Sequence, residues 1–154
     1  SEQNQKITDL QSTIADKNQV IKLLQNENKQ LIRKKSQLEL EREFMSYVDN
    51  ISEIEKTTNA KEKEKLIIFR NLTIQSIKDI ILDIFDTELF TRFEVLEIIY
   101  SSDINVSIIY ETVTESELIK ELTKHFNNFI KVTEEEIELF LKKYNDKFSR
   151  SASI

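Results

Sequence analysis

The chain has 154 residues, carries 32% charged side chains with a formal net charge of −6, and contains no glycine, proline, cysteine or tryptophan. Without Gly and Pro it lacks the residues of tight turns, left-handed caps and phosphate-cradling loops, which excludes Walker loops, dinucleotide fingerprints and nucleophile elbows and favours long helices. Residues 1–65 hold equal numbers of acidic and basic side chains, so residues 66–154 carry the whole negative charge; this opposes general nucleic-acid binding and suits a basic protein partner.

The first element is a coiled coil over 1–56. With Ile7 at heptad position a, the a series reads Ile7, Ile14, Ile21, Asn28, Lys35 and Arg42. The d series reads Leu10, Lys17, Leu24, Leu31, Leu38 and Met45. Ile at a with Leu at d favours two parallel strands, and one Asn at a fixes register and strand number. The predicted dimerisation seam is therefore Ile7, Leu10, Ile14, Ile21, Leu24, Asn28, Leu31, Leu38 and Met45. Lys34 at g faces Glu39 at the next e position of a partner, an attractive pair in the parallel arrangement. Lys35 and Arg42 must snorkel out of the seam. After Met45 the apolar phase moves to Phe44, Val48 and Ile51, which reads as a stutter that locally unwinds the supercoil.

The helix is expected to end near Lys56–Asn59, with the alternating charges Lys61–Lys65 completing a junction over 57–65. A compact, Phe-rich helical module is predicted over 66–148, with a frayed tail at 149–154. Four segments have helical periodicity. The first carries Ile74, Ile77, Ile80, Ile81, Ile84 and Phe85 on one stripe. A second, from Thr87, carries Leu89, Phe93, Leu96 and Tyr100. A third opens with a capping box, Thr114 and Glu117, and carries Leu118, Leu122, Phe126, Phe129 and Ile130. The last opens with a second box, Thr133 and Glu136, and carries Ile137, Phe140, Leu141, Tyr144 and Phe148. Between the second and third, Ile104–Val113 is rich in β-branched residues. It fits a strand, paired with Phe93–Tyr100 or with its own copy, or else a short helix or irregular linker. The fold class is thus mainly all-α, with an α+β module as the alternative.

Little in the chain suggests catalysis. The single histidine, His125, sits beside an apolar stripe as a boundary residue, and Glu134, Glu135, Glu136 and Glu138 point in different directions from one helix start. No catalytic residue, cofactor or metal is expected, and the chain is read as a non-enzyme. No transmembrane run or leader is evident, so an intracellular place, cytoplasmic or cytoskeleton-associated, is expected.

Ile77–Phe85 followed by Arg92–Ser101 resembles the GRIP-related Arf-binding segment near the end of some golgins. The resemblance implies a dimeric helical module after a coiled coil, binding a membrane-attached small GTPase, with Phe93, Leu96 and Ile99 as the candidate partner surface. Three functions are open on the sequence: a homodimeric scaffold or adaptor of cytoskeletal, spindle-pole or kinetochore type that docks a protein partner, a golgin-like tether, or the dimerisation cassette of a longer protein. None involves nucleic acid or direct membrane insertion.

Overall fold

The computed structural model describes the backbone of residues 1–102 and 114–152 and the side chains of 1–102 and 114–147. Among the described residues there are five helices and no strand: α1 (Glu2–Lys56), α2 (Ala60–Asp86), α3 (Arg92–Ser102), α4 (Glu115–Asn127) and α5 (Glu134–Ala152). The fold is mainly all-α. Ile104–Val113, the segment read as strand or helix, lies outside the described residues. Its proposed strand partner Phe93–Tyr100 is instead the body of α3. The helix wins there because Val95, Leu96, Ile98 and Ile99 all bury toward the core, a spacing that fits a helical face and not strand alternation.

The chain divides into two units, Ser1–Lys35 and Ser36–Ile154. The first is a single stretch of α1, solvent-exposed almost throughout. The second contains one core. That core opens at Ser36 rather than Leu66, because Leu40 and Phe44 of α1 are fully buried in it and Tyr47 packs against it. The Phe44 and Tyr47 rings meet Phe129 edge-on, at 4.9 and 5.2 Å between centroids. The apolar shift after Met45 is therefore no simple stutter in one seam. From Leu40 onward α1 acquires a second apolar face, turned to its own chain.

Each helix boundary has a local cause. α1 ends at Lys56 as the sequence predicts, and Asn59 caps α2 by accepting from the backbone N–H groups of Lys61 and Glu62 at 3.0 and 3.3 Å. Lys61–Lys65 is the exposed beginning of α2, so the junction shrinks to Thr57–Asn59. The α1–α2 pair is tied by buried Asn50, whose Nδ2 donates to the Leu66 carbonyl at 3.1 Å.

The end of α2 is harder to make without glycine. Leu89 N–H reaches back to Ile84 O and Glu88 N–H to Phe85 O, a Schellman closure. Glu88 takes the left-handed position, φ 52°, where a Cβ costs roughly 1–2 kcal/mol. Glu88→Gly is accordingly expected to stabilise the fold by about 0.5–1 kcal/mol in chemical denaturation, the relief of strain exceeding the added chain entropy. An unchanged or lowered midpoint would mean that the glutamate side chain has a use at this position.

α3 starts on a reciprocal capping box that the sequence reading misses: Thr91 N–H donates to Glu94 Oε1 at 3.1 Å and Glu94 N–H to Thr91 Oγ1 at 3.2 Å. The helix read from Thr87 therefore begins at Arg92. The two predicted boxes form on their threonine side: Thr114 accepts from Glu117 N–H and Thr133 from Glu136 N–H. The Glu136 carboxylate is engaged by Arg92, through Nε and, at 2.8 Å, through Nη2, while Nη2 also donates to the Lys131 carbonyl. This clamp fixes the start of α3 on the α4–α5 turn. Asn127 closes that turn by pairing with both the N–H and the C=O of Val132 at 3.2 and 3.1 Å. At the centre Phe140 of α5 is ringed by Phe93, Tyr100, Phe126 and Tyr144, with centroids 5.4 to 6.1 Å away.

Candidate interaction surfaces

The predicted seam residues are exposed along α1. Ile7, Leu10, Ile14, Ile21, Leu24, Leu31, Leu38 and Met45 are each between 50% and 69% exposed, and Asn28 is exposed with them. A lone surface Leu is unremarkable, but a stripe repeating every three and four residues over six heptads is not. In the second unit the geometry of α1 can be read directly. Leu38, Arg42 and Met45 are exposed, while Leu40, Phe44 and Tyr47 point into or against the core. At about 100° per residue these two sets are roughly opposite one another. The a/d positions therefore stay open although the c and f positions are occupied by the chain's own module.

The candidate partner surface fares differently. Leu96 and Ile99 are 2% and 0% exposed. Phe93 is half-buried, its ring against Phe140 and beneath the Lys143 ammonium at 5.5 Å. All three serve the core or its edge, and Leu96 and Ile99 offer nothing to a partner. The golgin resemblance singles them out, and it cannot say whether a helix face meets its own chain or another.

An open depression of about 530 Å³ lies between the starts of α4 and α5, lined by Glu115, Ser116, Ile119, Thr133, Glu134, Glu135 and Glu138. Its carboxylates sit near the positive ends of two helices, a placement that favours those helices. Among the described residues no group of three or more His, Cys, Asp or Glu side chains is arranged to hold a metal ion. His125 is half-buried among rings, 5.5 Å from Phe129 and 5.8 Å from Phe126. Hydrogen bonding to Glu136 holds the Arg92 guanidinium above its ordinary pKa, and burial, with the charge of Glu97, pushes the Tyr144 phenol up. Both shifts lead away from neutrality, where a general acid or base would need to titrate.

One surface escaped the sequence reading. Ile68, Phe69 and Leu72 of α2 are 55%, 48% and 64% exposed, although Phe69 reads as a core aromatic by composition. The signal available in the sequence was the order of charges around them along α2. Among the described residues no helix is long and apolar enough to cross a membrane. Comparison with protein-family models, with curated proteins and with solved structures finds no match for this chain.

Proposed function

We propose that the chain is a non-enzymatic, parallel homodimeric coiled-coil scaffold or adaptor whose C-terminal module docks a protein partner. The observation that carries this reading is the exposed a/d stripe of α1, left open while the module closes its core with other residues. A second copy is the occupant that suits the stripe. Ile at a and Leu at d pack as knobs into holes against an identical helix, Asn28 finds its mate only in register, and Lys34 faces Glu39 of the other strand. The excess of acidic groups in residues 66–154 favours a basic partner for the module. A place in a cytoskeletal, spindle-pole or kinetochore assembly follows by analogy of architecture.

Burial of Leu96 and Ile99 weighs against the golgin-like reading, since those positions would have to meet the GTPase. Sedimentation equilibrium of the whole chain tests the dimer. At least twice the chain mass is expected across the micromolar range, and a monomer throughout would sink the proposal. Asn28→Ile is expected to raise the melting temperature and admit trimers or tetramers, because the polar pin is what restricts strand number. A mutant that stays strictly dimeric and no more stable would show that Asn28 is not the pin.

A further inference from the structure

The exposed face of α2 reads, in order, Lys61, Lys65, Ile68, Leu72, Asp79 and Asp83, with Phe69 at its side. At about 100° per residue these positions form one stripe, on the side away from buried Thr73, Ile77 and Ile81. The stripe is basic at its N-terminal end, apolar in the middle and acidic at its C-terminal end. That order opposes the helix dipole, which favours acids first and bases last. The start of α2 alternates Lys61, Glu62, Lys63, Glu64 and Lys65, of which Lys61 and Lys65 fall on the stripe, and its last turn has no base. α5, by contrast, begins with Glu134, Glu135 and Glu136. A helix whose charges oppose its own dipole, around exposed Ile68, Phe69 and Leu72, has a pattern that solvent alone does not explain.

The pattern is self-complementary. Turned end for end about Leu72, a second α2 brings its Asp79 opposite Lys65, its Asp83 opposite Lys61 and its Leu72 opposite Leu72. The two-fold makes each ion pair twice, and antiparallel dipoles attract. A parallel approach would instead set Lys65 on Lys65 and Asp79 on Asp79. Asp79 already accepts from Gln75 Nε2 at 3.0 Å on its own helix, and it remains exposed for a second contact.

We propose that α2 docks antiparallel on α2 of a second copy of this chain, centred on Leu72. The contact is isologous and does not require the zipper. Its consequence rests on the proposed function: where α1 pairs with one copy and α2 with another, the chain carries two different two-fold contacts. Two different two-fold contacts on one chain close as a tetramer or propagate, which would make the scaffold self-assembling.

The absence of cysteine from the chain makes the test clean. Leu72→Cys in the full chain is expected to form an intermolecular disulfide under mild oxidation at least about tenfold faster than exposed Ser116→Cys, since facing helices bring Cα atoms within disulfide range. Lys65→Glu added to Leu72→Cys should abolish the advantage, and Lys65→Glu with Asp79→Lys should restore it. Asn28→Cys reports the zipper separately. The Asn28→Cys, Leu72→Cys double variant should give covalent species larger than dimers. A Leu72→Cys rate equal to the Ser116→Cys control, or one indifferent to Lys65→Glu, overturns the α2 contact. If Leu72→Cys crosslinks and Asn28→Cys does not, the α2 contact stands and the zipper reading fails. Sedimentation of the unmodified chain gives an independent readout: a mass above the dimer at about 0.1 M salt, falling to the dimer as salt screens the ion pairs. Where Asn28→Cys also crosslinks, a mass that never exceeds the dimer overturns the proposal.

Discussion

Phe140→Ala is expected to lower the unfolding free energy of the module by about 3–5 kcal/mol, the range for truncating a large aromatic in a packed core. Phe140 is 2% exposed and touches the rings of Phe93 and Tyr100 on α3, Phe126 on α4 and Tyr144 on α5. Its loss removes the shared contact of three helices at once. Neither Arg92 nor Lys147, which reaches Glu97 at 2.9 Å, can replace it, because exposed ion pairs contribute only about 0–1 kcal/mol each. Domains of this kind have about 5–15 kcal/mol to lose. The mutant should therefore unfold at much lower denaturant and show weakened near-UV signals from its tyrosines. A mutant that unfolds like the parent would remove Phe140 from the core and make it available to a partner.

The sequence made the helices of the module legible because their apolar stripes are regular. Leu118, Leu122 and Phe126 on α4 and Ile137, Phe140 and Leu141 on α5 are all buried as the periodicity predicts. Thr114 and Thr133 cap as their spacing implies. The failures have a common root, which is that periodicity identifies a face without naming its neighbour. Leu40 and Phe44 were invisible as core because a heptad count looks only at a and d. Phe93, Leu96 and Ile99 stand as a partner surface only by the golgin resemblance, while Leu96 and Ile99 are buried. The break between α2 and α3 was hidden for a different reason: Glu88 holds a left-handed position that glycine usually marks, and this chain has no glycine to mark it. The Thr91–Glu94 box is legible in principle, as Thr-x-x-Glu before an apolar run, but Thr87 offers an earlier start that hides it.

The largest effect on assembly is expected from Leu24→Asp with Leu31→Asp. Both leucines are d positions in the first unit, and both are exposed in the single chain. Burying a leucine is worth about 1.5–3 kcal/mol. Four such residues per dimer contribute at least about 6 kcal/mol, so the pair of substitutions weakens association roughly ten-thousand-fold before charge repulsion is counted. At salt high enough to screen the α2 contact, the chain should sediment as a monomer in the micromolar range. A second consequence separates a zipper from a free-standing helix. Residues 2–35 are almost wholly solvent-exposed, and side-chain bonds among them, such as Gln5 to Asp9, are of the weak i,i+4 kind. An isolated helix of that length is marginal in water, and its Thr, Asp and Asn residues are poor helix formers. Roughly a quarter of the helical circular dichroism, in proportion to residues 2–35, should be lost with the dimer. The cooperative unfolding of the second unit should persist, because Leu40, Phe44 and Tyr47 leave α1 by the other face. A variant that stays dimeric would place the seam elsewhere on α1. A monomer with undiminished helicity would mean that α1 holds its shape without a partner, and that the exposed stripe is not what orders it.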